Sequence, residues 1–515
     1  MNIFSSKIFK KLLVIFLISL LFKSVWLFDN QSLGQPGSDD LSYWLHAATV
    51  VYDHDFSYVE DFKVREGVFD IDTNTPYHPP GSGYLSSPFV YLFSLLDEGD
   101  PERLNPAGYF AYLGFFAASL FYFLAGMYLI SKILIKRKYK IHNLVIFSGF
   151  IGTIAHFVTT RFFMSHATEF FLCSCICYIF ENTKNRYSWK NLTLLCGLYL
   201  LLSFTRPSTF IYSICLFAVY SSKYDYNQRN ISRVGIVSAV FSVIHIFISN
   251  YLYKEPTIFH NAQINFQNQG FSEISIQSII SSTPKLLQLF FSPSMGIVWV
   301  IPVIFFGIIS ILHSQYRKST NFVSNIFVFL YFYGAFIVLI VWEGREVAFG
   351  QRLLVGLIPF CLIKIGQFDK SKIFNFTFGL TTIISYLGYL YFYSSTNLTL
   401  KPGQTLWGTT VGFAGENYFI YLINEILFLP NIFALLGKTI YSVNFFHFVS
   451  MDTFVKRFSL QEFLSEEKFL EAVTFSEKYS NIDGGYLFIA TSLIFIFSIL
   501  LSSIILNKFD SKSSY

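Results

Sequence analysis

Residues 10–28 read KKLLVIFLISLLFKSVWLF, and residues 34–56 read GQPGSDDLSYWLHAATVVYDHDF. The first stretch decides the fold. About 20 apolar residues, rising about 1.5 Å each, suffice for a helix to cross the hydrocarbon of a bilayer. Its basic flank is that of a signal peptide, yet no small-x-small cleavage site follows, so it reads as a retained signal anchor. Lys23, near its outer end, can snorkel to the interface. The second stretch then sets two adjacent carboxylates, Asp39 and Asp40, just beyond the membrane on its outer side.

The rest of the chain agrees with that beginning. Over 515 residues, 53% are hydrophobic, 20% aromatic and only 13% charged, and the mean hydropathy is +0.49. This is too apolar for an ordinary soluble enzyme and fits an all-α polytopic membrane protein. The formal charge of +5 matches basic cytoplasmic loops, and no nucleic-acid motif accompanies it. All six cysteines fall in apolar runs and read as small buried hydrophobes, with no disulfide framework implied.

The apolar runs predict about twelve spans, centred near Ile18, Phe121, Ile151, Cys173, Leu198, Ile214, Val243, Phe305, Leu330, Pro359, Ile384 and Phe495. Those around Leu198 and Ile214 meet at FTRPS, where Pro207 forces a turn and leaves Arg206 at the tip of a hairpin. Lys and Arg cluster after Ser131, Asn182, Tyr316 and Asp369, and again in the amino-terminal SKIFKK. These segments are predicted cytoplasmic, together with both termini. The large loop 29–106 and the region 394–484 are then outside, and 485–515 forms a last span and tail. Within the outer region, residues 418–437 carry Asn424, Glu425 and Pro430 and read as an interfacial or re-entrant element. The apolar stretch after Ser82 is too short to span and is predicted to lie on the membrane surface.

Four stretches carry a family resemblance: GSDDLSYW from Gly37, PYHPPGSGYLSSPF from Pro76, SPSMGIVWVIPV from Ser292 and WEGREVAFGQRLLVGLIPF from Trp342. In order and in outer-side placement they resemble the motifs of GT-C glycosyltransferases, closest to the branch of protein O-mannosyltransferases and lipid A aminoarabinose transferases. The resemblance covers residues 1–393. It implies a transmembrane catalytic module that moves a sugar from a polyprenyl-phosphate donor to a glycan, lipid or protein acceptor, with inversion at the anomeric carbon. Gln351 stands where such sequences often have Pro, and the region after Ser394 matches none of these motifs.

The chemistry gives particular residues their roles. Attack by an acceptor hydroxyl needs a base, so Asp39 or Asp40 is the candidate; the competing reading is a helix cap, because both precede LSYWLHAATVV. The departing lipid phosphate needs cations, and Arg suits bidentate contact better than Lys. Arg352 and Arg345 are the leading candidates, followed by Arg206 and Arg161; each could equally anchor a span end at the interface. Glu169 lies one turn into a span with His166 three residues before it on nearly the same face. An ionisable residue there is a functional candidate, whether as catalyst, in orienting the acceptor or in helping to hold a divalent metal, against a structural salt bridge. His78, between a tyrosine and two prolines, could hydrogen-bond sugar or phosphate, or simply occupy a turn. YDHDF from Tyr52 superficially suggests metal ligands, but three polar residues in one loop do not make a site, and an ordinary loop is the favoured reading; DIDTN from Asp70 lacks calcium-loop spacing and is discarded.

The expected protein is thus a glycosyltransferase of a bacterial inner membrane, active on its outer face. Its partners are the lipid-linked donor, an acceptor and membrane lipids, with no nucleic acid. The rival from another class is a transporter or lipid-linked sugar flippase. Such proteins keep polar sites at mid-bilayer and often show repeats; no repeat is visible here.

Overall fold

The computed structural model describes residues 9–17, 20, 38–58, 69–70, 75–76, 78–99, 106, 109–139, 145, 148–149, 154, 157–158, 161–182, 187–221, 228–256, 297, 301–317, 322–341, 352–366, 373–382 and 385. Arg345, the element at 418–437 and the last span near Phe495 lie outside these residues.

The described chain is overwhelmingly helical. Near the amino-terminal end, α1 (Ser38–Ala48) runs into a π-helical turn (Thr49–Asp53) that stops at His54, whose φ of 58° is left-handed. A two-stranded antiparallel hairpin follows, β1 (Phe69–Asp70) with β2 (Thr75–Pro76), pairing Phe69 with Pro76 and Asp70 with Thr75. It leads into α2 (Gly81–Ser94). The apolar part is built from α3 (Phe110–Lys136), α4 (His166–Asn182), α5 (Trp189–Thr205), α6 (Pro207–Ser221), α7 (Gln228–Tyr253), α8 (Pro302–Arg317), α9 (Phe322–Val341), a 3-10 turn (Arg352–Leu357) and α10 (Ile358–Ile365).

Helix ends follow from local chemistry. The Ser188 hydroxyl accepts from the Asn191 amide at 3.4 Å and starts α5. That helix ends at Arg206 because the residue before proline is pushed out of the helical region; Arg206 has φ −150° and ψ 88°. Pro207, lacking an amide hydrogen that a first-turn residue would leave unused, opens α6. The hairpin expected at FTRPS is therefore present, with Arg206 as its corner.

By length and composition, α3 and α7 are long and apolar enough to cross a membrane, and shorter apolar helices lie at Pro207–Phe217, Pro302–Leu312 and Ile326–Phe336. The surface of α7 is the clearer evidence. Ile236, Val240, Val243 and Phe247 form a stripe of exposed apolar side chains, Phe247 being 74% exposed. Water would penalise such a stripe, whereas lipid accepts it. The chain is a helical membrane protein.

Elsewhere the helices pack on small residues. At Gly126 of α3 a side chain would stand 2.8 Å from the Phe170 ring of α4, and at Gly307 of α8 it would stand 2.5 Å from Cys361 of α10. Close approach of this kind replaces the hydrophobic drive that lipid removes.

The amino-terminal half of α2 turns a small-residue face, Gly81, Ser82, Gly83, Ser86 and Ser87, into the protein, while Tyr91, Leu92, Leu95 and Leu96 at its other end are exposed. The surface-lying segment expected after Ser82 is thus a helix, apolar on the outside at its carboxyl end. Just beyond it, Asp97 reaches forward to the start of α3. Its two carboxylate oxygens accept from the amides of Phe110 at 2.6 Å and Ala111 at 2.9 Å. The local cap residue, Tyr109, supplies no side-chain bond of its own. Asp97→Ala is expected to lower stability by about 1 kcal/mol, read as a lower melting temperature of the purified protein; Asp97→Asn should recover part of it.

Candidate active site

The site is assembled around α1. This helix begins at Ser38, so Asp39 and Asp40 stand inside its first turn rather than ahead of it. Asp40 is buried, and one of its oxygens, Oδ2, accepts both from Arg161 Nε at 3.0 Å and from its terminal nitrogen at 2.8 Å. Arg161 lies in the turn that precedes α4, so this pair ties α1 to the start of α4 across 121 residues of sequence. One turn further along α1, buried Tyr43 accepts through its hydroxyl from Ser165 at 3.3 Å, and its ring lies 5.0 Å from that of His78.

A second polar centre lies one turn into α4. Glu169 is fully buried. Its Oε2 lies 3.1 Å from His166 Nδ1 and 4.0 Å from Arg206 Nε, and its Oε1 accepts from the Thr209 hydroxyl at 2.5 Å. The amide of Gly356, in the 3-10 turn, also donates to it. A side chain at position 356 would meet Thr209 Cγ2 at 2.3 Å and the Tyr212 hydroxyl at 2.6 Å, so only glycine allows this approach. The Tyr331 hydroxyl of α9 bonds the Gly356 carbonyl at 3.2 Å. Arg352 opens the same turn and is buried; at about 2.0 Å per residue it starts roughly 8 Å from Gly356. Glu169 thus gathers α4, the α5–α6 corner, α6 and the turn bearing Arg352. Enclosed and saturated with donors, it has the geometry of an anchor for two arginine-bearing elements.

The third centre holds the PPG segment. The ring of His46, four residues after Ser42 on α1, is fully buried. His46 Nε2 lies 2.8 Å from the His78 carbonyl, and the Ser42 hydroxyl accepts from the His78 amide at 3.0 Å. On its other side His46 Nδ1 lies 2.6 Å from the Tyr58 hydroxyl, which is 2.8 Å from that of Tyr84. The glycines of PPGSG have a packing reason. A side chain on Gly81 would lie 2.4 Å from Thr205 Oγ1, and one on Gly83 would lie 2.5 Å from His46 Cβ.

Burial lowers the affinity of His46 for a proton, bringing its pKa to about 3. Unfolded, the same residue titrates near 6.5. Between those values the unfolded chain binds more protons, so stability present above pH 6.5 is lost as pH falls towards 3. From pH 7 to pH 5 the loss at this one group is about 2 kcal/mol. Melting curves across that range should show a shallower acid slope in His46→Gln than in the wild type.

Of the residues singled out from sequence, Asp40, Arg161, His166, Glu169, Arg206, His78 and Arg352 therefore all fall in the three centres or the turn docked on them. Asp39 contributes its backbone to α1, and Arg345 lies outside the described residues. Ser42, His46, Thr209 and Gly356 were not singled out; only the four-residue spacing of Ser42 and His46 on one helix face hinted at a shared partner. Among the described residues, no three or more of His, Cys, Asp and Glu gather as a metal-binding group.

No protein-family model matches the sequence, and no curated protein matches it. Among solved structures, the chain is similar to the Archaeoglobus fulgidus oligosaccharyltransferase tethered with an acceptor peptide containing the NVT sequon. The identity is 12%, the TM-score 0.41, and the match covers 86% of this chain and 56% of that one, so this chain spans little more than half its length.

Proposed function

We propose that this protein is a membrane glycosyltransferase that moves a sugar from a polyprenyl-phosphate donor to an acceptor hydroxyl on the outer face. The observation that carries the reading is the convergence of an acidic helix turn at Asp39–Asp40 with Arg161, with His78 on the same helix's face and Tyr43 tying it to Ser165 beside His166. In the reaction, the acceptor oxygen bonds the anomeric carbon as the bond from that carbon to the phosphate oxygen breaks. The phosphate leaves with the electron pair, and the acceptor proton passes to a carboxylate of the Asp39–Asp40 pair. Arg161 holds Asp40 in place. Arg352 and Arg206, both borne on elements docked to Glu169, receive the departing phosphate.

The reading is tested with the purified protein in proteoliposomes containing an undecaprenyl-phosphate-linked sugar and a candidate acceptor. Release of undecaprenyl phosphate with appearance of the sugar on the acceptor is expected. Movement of the intact lipid-linked sugar across the bilayer, with no bond cleaved, would instead make the protein a flippase.

The phosphate role makes a separate demand on Arg352. Arg352→Lys keeps the charge but loses the planar fork, and Arg352→Gln loses both. A hydrogen bond to a charged group contributes about 1.5–3 kcal/mol, so the glutamine variant should raise the donor concentration needed for half-maximal rate by roughly tenfold or more, with lysine intermediate. Acceptor dependence should stay unchanged. Equal donor dependence in all three proteins would reduce Arg352 to an anchor of the turn.

A further inference from the structure

We infer that Ser42 and His46 are positioning residues that clamp the backbone of His78 to the helix bearing Asp39 and Asp40, making the acidic pair and the His78 imidazole one rigid reacting unit. The inference rests on the transferase reading for its catalytic part and on geometry alone for the clamp.

The geometry is that of a two-pronged grip. Residues four apart on a helix project from one face, and here both prongs close on a single residue. The hydroxyl of Ser42 takes the His78 amide and the imidazole of His46 takes its carbonyl. A carbonyl can only accept, so Nε2 of His46 must carry the hydrogen in that bond. With the ring neutral, Nδ1 is left as an acceptor and takes the Tyr58 hydroxyl hydrogen; Tyr58 oxygen in turn accepts from Tyr84. Every proton in the chain Tyr84–Tyr58–His46–His78 then has one direction, running from α2 through Tyr58 to α1 and on to the His78 carbonyl. Rings reinforce the order: His46 lies edge-on to Tyr58 at 5.3 Å and to Tyr84 at 5.7 Å. Gly83 lets α2 seat directly on this assembly, because any side chain there would strike His46 Cβ.

Proline rigidity at Pro79 and Pro80 fixes the path after His78, but it does not fix where that path lies relative to Asp40. The clamp supplies that relation. Misplacing a reacting group by about 1 Å can cost roughly 10²-fold in rate, so a grip on both backbone groups of His78 acts on turnover without touching substrate.

Two measurements on the full-length protein test this. First, amide exchange at His78, followed by NMR in nanodiscs with histidine labelled by nitrogen-15, should be slow in the wild type and faster in Ser42→Ala and His46→Phe. The labelled His46 ring should show hydrogen on Nε2 alone between pH 6 and 8. Second, in the proteoliposome assay His46→Phe, which keeps a ring but has no donor, should lower kcat by about 10²-fold with donor KM within about a factor of three. His46→Gln, whose amide can reach the same carbonyl, should recover a tenth or more of the wild-type rate. Unaltered His78 exchange in both variants overturns the clamp, as does hydrogen on Nδ1 of His46. Full turnover in His46→Phe overturns its catalytic part. A wild type that transfers no sugar removes the transferase reading, leaving the clamp to be decided by exchange alone.

Discussion

Asp39→Asn is expected to lower sugar transfer by roughly 10²- to 10⁴-fold while the protein melts at the wild-type temperature. Asp40→Asn is expected to lose both. The difference comes from Arg161, which places both of its bonds on a single oxygen of Asp40 in a buried setting. An amide there keeps one acceptor but leaves the guanidinium without its counter-charge, and breaking one side of a buried pair costs about 3–5 kcal/mol. Arg161 retains some exposure, so the lower end applies. At position 39 the amide preserves the helix start but accepts a proton too poorly to act as a base. Initial rates under chemistry-limited conditions, paired with melting curves, separate the two roles. Near-wild-type turnover in Asp39→Asn would pass the base to Asp40, and near-wild-type turnover in both would remove the pair from the chemistry.

Glu169→Ala is expected to be strongly destabilising. The carboxylate is sealed from solvent and receives Thr209, the Gly356 amide and His166, with Arg206 close by. Alanine strands these donors together, for about 3–5 kcal/mol. Glu169→Gln keeps the volume and an acceptor and should cost less. Unfolding in SDS titrations of mixed micelles would give the order alanine, glutamine, wild type in rising stability. A wild-type unfolding midpoint in Glu169→Ala would rule out the anchoring role. If that role holds, the alanine variant should also weaken donor use, because the turn bearing Arg352 and the corner bearing Arg206 both rest on this residue.

Among the described residues, helix placement was largely legible in the sequence, because apolar length and proline punctuation are local properties, although of the roughly twelve expected spans only α3 and α7 reach spanning length there. Pro207 ends α5 by a steric rule that needs no tertiary information, and α3 and α7 follow from apolar length. What Asp40 and Glu169 do was not legible. A carboxylate before an apolar run reads equally as cap or base, and the distinction depends on Arg161, 121 residues away. Gly356 was invisible for a similar reason: its need for a hydrogen in place of a side chain is imposed by Thr209 and Tyr212, which approach it from another helix. The two-residue relation Ser42–His46 lay within one stretch, yet its meaning depends on a backbone contributed by His78.

The bond from Asp97 to the first amides of α3 also has a consequence for chain entropy. It brings together the two ends of segment 98–109, whatever path the residues between them take. Once the ends of a segment are held, lengthening it raises only the closure term, about 0.6 kcal/mol for each doubling. A short epitope inserted between residues 100 and 105 should therefore leave folding intact, provided that Asp97 remains. The same insertion in an Asp97→Ala background would have no such staple and should lower the yield of folded protein. This segment is thus an engineering port, its two ends held by a single side chain.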